Sequence, residues 1–231
     1  IPLRLVGSEM CIRDRIQICL LFRGQKKRRK KTASAVAVLM VFILSCTGCA
    51  GIEPEKRMYP LAMGVDVSEG EYILTYAMPD LPRATGQGKE EEDGNQTLQV
   101  RGKSFEEIKS RYERSQEKYL DIGHLQILIL SQDLTETDMW KDFFEYLREE
   151  PLAGENIYVF QTQEPEKLLG WKEGGTSVGE YITGLMENRM DREQKNGVTL
   201  RQVYYQWYQN GTLKKLPKIT LSEDQIQVWL E

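Results

Sequence analysis

His124-Leu125-Gln126-Ile127-Leu128-Ile129-Leu130 is a nearly continuous apolar run bounded by turn signals. Along a strand, successive side chains point to opposite faces, so such a run makes both faces apolar. It fits a central strand that is covered on both sides. A chain holding such a strand needs other elements to pack against it, and the flanking sequence supplies them.

Upstream, the β-rich runs Tyr59 to Val67 and Tyr72 to Met78 flank Ser68-Glu69-Gly70-Glu71, which reads as a hairpin. Residues 79–95 are rich in Gly, Pro and charge and read as a solvated loop. Leu98 to Val100 is a short strand. Ser104-Phe105-Glu106-Glu107 has the form of a capping box, and Phe105, Ile108, Tyr112, Ser115 and Tyr119 recur at helical spacing, predicting a helix over 104–119 with one buried face.

Downstream, Asp138 to Glu149 carries Trp140, Phe143, Phe144 and Leu147 on a second helix that stops before Pro151. Asn156 to Gln161 is a strand, and Glu164 to Leu169 a short helix ending near Gly170. Ser177-Val178-Gly179-Glu180 opens a helix with Tyr181, Ile182, Leu185 and Met186. Thr199-Leu200-Arg201-Gln202 opens another with Val203, Tyr204, Trp207 and Tyr208, closed by Asn210-Gly211. Ile219 to Leu221 and Gln225 to Leu230 have β character. Together these predict an α+β fold, a mixed β-sheet with packed helices. The apolar end at Trp229-Leu230 predicts a chain that continues into a further domain.

No catalytic constellation emerges. His124 is the only histidine, which excludes a multi-histidine metal site and makes it the one imidazole available as base to a nucleophilic triad; at the head of an apolar strand it reads as structural rather than catalytic. Gly174-Gly175-Thr176-Ser177 lacks the lysine of a phosphate-binding loop, and its serine is accounted for as a helix cap. Glu90-Glu91-Glu92-Asp93 lacks the spacing of a calcium loop and reads as solvated charge. The stripes Trp140/Phe143/Phe144 and Tyr204/Trp207/Tyr208 read as core, with part of the second available to a partner. No cofactor or metal site is expected, and no enzymatic activity.

The N-terminus has a different character. Leu5 to Arg15, LVGSEMCIRDR, resembles a transposase-type sequencing adapter read in frame, so residues 1–15 are set aside as an expected artefact. Residues 16–48 contain the basic run Lys26 to Lys31 followed by the apolar block Ala33 to Leu44, the pattern of a secretory signal and too short to span a bilayer. Ser45-Cys46-Thr47-Gly48-Cys49-Ala50 resembles a bacterial lipobox, with Cys49 the expected diacylated residue and Cys46 the competing one. Ten of the 31 Lys/Arg and two of the 35 Asp/Glu precede Cys49, so residues 49–231 carry a formal charge of −12. That acidity argues against nucleic acid as a ligand.

Cys49-Ala50-Gly51-Ile52-Glu53-Pro54-Glu55-Lys56-Arg57, leading into Tyr59-Pro60-Leu61-Ala62-Met63-Gly64-Val65-Asp66, resembles the start of the C-subunit lipoproteins of spore germinant receptors, the Ger(x)C family. Gly123-His124-Leu125-Gln126-Ile127 is similar to that family's Gly-His-hydrophobic-Lys-hydrophobic strand, with Gln126 where lysine is common. The resemblance implies that residues 49–231 are the N-terminal domain of a non-enzymatic, lipid-anchored subunit. Its partners would be a polytopic A subunit and a transporter-like B subunit at the outer face of the spore's inner membrane, its task assembly or signalling. The alternative is an extracytoplasmic lipoprotein that delivers a small solute to a transporter.

Overall fold

The computed structural model describes residues 52–79, 97–171, 176–188, 197–223 and 225–229. The adapter-like stretch, the signal segment, Cys46, Cys49, Glu90 to Asp93 and Gly174-Gly175 lie outside them.

The hairpin forms as expected. Strands β2 (Ala62–Ser68) and β3 (Glu71–Ala77) pair antiparallel with Ser68 opposite Glu71, leaving the two-residue loop Glu69-Gly70. Both loop residues have positive φ, 53° and 77°, the turn whose twist matches that of the flanking strands. The first strand starts later than the sequence suggests. Pro60 has no N–H to give a ladder, and Tyr59 to Leu61 cross the sheet end, where the Leu61 carbonyl accepts from Gln126 and Ile127. Before them lie a short 3₁₀ turn, Pro54–Lys56, and the two-residue strand β1 (Arg57–Met58).

Strand β4 (Thr97–Gly102) adds antiparallel to β3, and α1 (Phe105–Ser115) follows. The Ser104 hydroxyl accepts from the Glu107 N–H, but the Glu107 carboxylate reaches back to the Lys103 N–H, so the capping box is only half made. The helix ends at Ser115, four residues short of expectation. Ser115 is exposed, and Tyr119 stands exposed in β5 (Tyr119–Leu120) rather than on a buried helical face.

The apolar run becomes β6 (Ile127–Ser131), every residue of it buried, parallel to β2. His124 is not part of it. Ile122–His124 is a 3₁₀ turn, and His124 is exposed, because pairing begins only where Ile127 meets Ala62. After β6 come α2 (Gln132–Glu136), capped by the Ser131 hydroxyl, and α3 (Met139–Glu149). Next are β7 (Tyr158–Thr162), α4 (Pro165–Leu169), α5 (Val178–Glu187) and α6 (Leu200–Asn210). The capping box of α5 is complete, and α6 stops at Gly211 with φ 69°. Strands β8 (Lys218–Ser222) and β9 (Gln225–Trp229) form a closing hairpin.

The seven-stranded mixed sheet has the order β4-β3-β2-β6-β7-β8-β9, with β6 at its centre. Period-two alternation sends Met63, Val65, Leu74, Tyr76, Leu128 and Leu130 to one side, where Phe105, Ile108 and Tyr112 of α1 and Phe143, Phe144 and Leu147 of α3 cover them. Ala62, Ile127, Ile129, Phe160 and Ile219 face the other side, against Leu168 and Leu169 of α4 and Ile182 and Met186 of α5. The central strand is thus covered on both faces, and the α+β expectation holds.

Candidate functional site

The two stretches that carry the family resemblance meet at one end of the sheet. Strand β1 lies parallel to β5, with Arg57 opposite Tyr119 and Met58 opposite Leu120, and the Met58 carbonyl accepts from the Asp121 N–H. This places the Arg57 guanidinium 2.6 Å from the Asp121 carboxylate, and Arg57 Nε also donates to the Ile52 carbonyl. The other oxygen of Asp121 accepts from the Gly123 N–H at 2.9 Å and so caps the 3₁₀ turn that carries His124. The Asp121 side chain is 6% exposed, that of Arg57 26%.

Burial alone would push the Asp121 carboxyl up. The Gly123 N–H, the hydrogen bond and charge of Arg57, and His124 outweigh it, so the group is held below its ordinary 3.8. Next to this pair the Tyr59 and His124 rings stand edge to face, 4.9 Å apart. Sequence reasoning missed the Arg57–Asp121 pair. Asp121 read as an ordinary turn residue, and nothing local points to a partner 64 positions away.

A cavity of about 220 Å³ opens beside this junction, between α1 and α3. Met63, Tyr76, Tyr112, Ile122 and Leu147 form its inner wall, and Tyr146 and Glu150 stand half-buried at its side. The Tyr112 hydroxyl donates to the Lys118 carbonyl at 2.9 Å, and Glu150 lies close to the Tyr146 phenol, whose pKa burial raises. Burial, reinforced by Tyr146, Tyr112 and Glu150, drives the Tyr76 phenol far above the ordinary tyrosine range. A second cavity, about 300 Å³, lies at the ends of β7 and β8. Of its lining side chains, Lys167 pairs with Glu164, and Gln161 bonds to Thr135 outside it.

The two aromatic stripes behave differently. Trp140, Phe143 and Phe144 are buried. Tyr204 and Trp207 are half-buried, whereas Tyr208 is exposed, stacked on Trp207 and accepting a hydrogen bond from Arg148. Ser177 is engaged as the cap of α5, its hydroxyl accepting from the Glu180 N–H. Among the described residues no group of three or more His, Cys, Asp or Glu is placed to hold a metal ion, and no helix is long and apolar enough to cross a membrane. The junction thus fixes residues 52–58 to the rest of the domain, and the open cavity beside it is lined by tyrosine hydroxyls and a carboxylate.

Compared with known families, residues 51–221 match the spore germination protein N-terminal domain. No curated protein and no solved structure matches the chain.

Proposed function

This chain belongs to the family of spore germination protein N-terminal domains, and from that premise we propose that it is the lipid-anchored C subunit of a germinant receptor. Cys49, following a basic run and an apolar block, is the acylated residue. Two acyl chains suffice for stable anchoring. The supporting observation is how soon the body begins. Three residues beyond Cys49, Ile52 already accepts from Arg57, which is locked to Asp121. Three extended residues span at most about 11 Å, so a lipid on Cys49 would keep Ile52 close to the membrane surface.

That position suits a subunit that assembles with membrane-spanning A and B partners and relays their state without doing chemistry. The family match lends no support to a solute-delivery lipoprotein. Membrane fractionation tests the anchor: the Cys49→Ala protein is expected in the soluble fraction with its circular dichroism unchanged. Retention of that variant in membranes would overturn the assignment to Cys49, and retention of a Cys46→Ala/Cys49→Ala double variant would overturn lipid anchoring altogether.

A further inference from the structure

The cavity between α1 and α3 holds a buried polar group that has no hydrogen-bond partner among the described residues. Tyr76 is 3% exposed, and its hydroxyl lies near Tyr112, Tyr146 and Glu150 on the cavity wall. One of those neighbours is committed elsewhere, the Tyr112 hydroxyl to the Lys118 carbonyl, and Tyr146 stands beside Glu150. The Tyr76 hydroxyl makes no hydrogen bond to another described residue. Buried hydroxyls are satisfied in the great majority of cases, and one left over beside open space points to something that occupies the space.

The charges say what kind of occupant. At the mouth, the exposed side chains Lys109 and Lys118 balance Glu113 and Glu117. Further in, the charged group is the half-buried Glu150, whose carboxylate lies near Tyr146 and has acceptor capacity to spare. The phenol rings offer electron-rich faces to a cation, and the −12 charge of residues 49–231 draws cations toward the domain. The remaining wall, Met63, Ile122 and Leu147, is apolar. A volume of about 220 Å³ is below the usual range for drug-sized ligands, which limits the occupant to about one ring or a short aliphatic chain.

We propose that this cavity binds a small primary amine, its ammonium group held between the Tyr76 hydroxyl and the Glu150 carboxylate and its apolar body against Met63, Ile122 and Leu147. This assigns the domain a ligand site of its own, and it stands whether or not Cys49 carries the lipid.

Thermal melting of the full chain in detergent tests it, with benzylamine as probe and benzyl alcohol and phenylacetate as its neutral and anionic counterparts. Benzylamine is expected to raise the melting temperature saturably while the other two do not. Glu150→Gln and Tyr76→Phe are each expected to weaken the benzylamine effect by about tenfold or more. Without ligand, Tyr76→Phe is expected to melt no lower than the parent, because it deletes a hydroxyl the fold does not use. Equal shifts from benzylamine and benzyl alcohol would show partitioning rather than a site and overturn the proposal. So would the absence of any shift, which leaves the cavity to water, or a marked drop in the melting temperature of unliganded Tyr76→Phe, which makes the phenol a structural partner.

Discussion

Asp121 joins two elements through two acceptors: one carboxylate oxygen holds the Arg57 guanidinium of β1, the other the backbone of the 3₁₀ turn. Asp121→Ala removes both at once and leaves the Gly123 N–H and a partly buried guanidinium without their acceptor. The expected loss is about 2–3 kcal/mol, read as a lower denaturant midpoint. The sign of the pH dependence follows from the direction of the shift. A carboxyl held below its ordinary value stabilises the fold fully above that value, 3.8, and loses the contribution as pH falls through the lower folded value. The stability gap between parent and variant is therefore expected to hold at neutral pH and to close only in acid below about pH 4. A gap that stayed constant into strong acid would show that the carboxylate charge contributes nothing. At this scale the sequence is least legible. His124 reads as the head of a strand because an apolar run follows it, yet where the strand starts is decided by pairing with Ala62, which no local pattern encodes.

Individual elements were legible wherever they were long enough to repeat. Helix α3 buries the four residues its periodicity names, Trp140, Phe143, Phe144 and Leu147, and α5 starts at a complete capping box. The elements that escaped are those with no room for a period: β1 and β5, two residues each, and α2, five residues held by the Ser131 hydroxyl. The Met63-Gly64-Val65-Asp66 stretch, part of the family resemblance, acquires a physical reason here. Gly64 of β2 lies under α4, where a Cβ would come 2.6 Å from Leu169 Cδ1 and 3.2 Å from Pro165 Cβ. Leu169 is fully buried and has no free space to swing into, and the proline ring is rigid. Gly64→Ala must therefore lift α4 from the sheet, at an expected cost of about 1–3 kcal/mol in chemical denaturation. A variant as stable as the parent would mean that α4 packs more loosely than these distances require.

For the whole molecule, the sequence reading reached the mixed composition and the doubly covered central strand but not the strand order. That order depends on which edges meet: β6 enters beside β2 rather than beside its predecessor β4, and the parallel series β2-β6-β7-β8 then grows in one direction. The division of side chains between the two faces has a consequence for alkaline stability. Tyr72, Tyr76, Tyr112, Tyr146 and Tyr204 all belong to the same side of the sheet, the one covered by α1 and α3, and burial raises the pKa of each, that of Tyr72 to about 12. A phenol whose folded value is raised favours the fold fully below its ordinary value of 10.0, and that contribution is lost as pH climbs toward the folded value. Five of the chain's eleven tyrosines are tied to one core layer in this way. At about pH 11 the folded protein is accordingly expected to show a tyrosinate absorbance short of the denatured chain's by about four phenols, Tyr72, Tyr76, Tyr146 and Tyr204, the deficit vanishing together with the near-ultraviolet circular dichroism as pH rises further. Full tyrosinate absorbance while that dichroism persists would mean that burial under α1 and α3 does not hold these phenols in their neutral form.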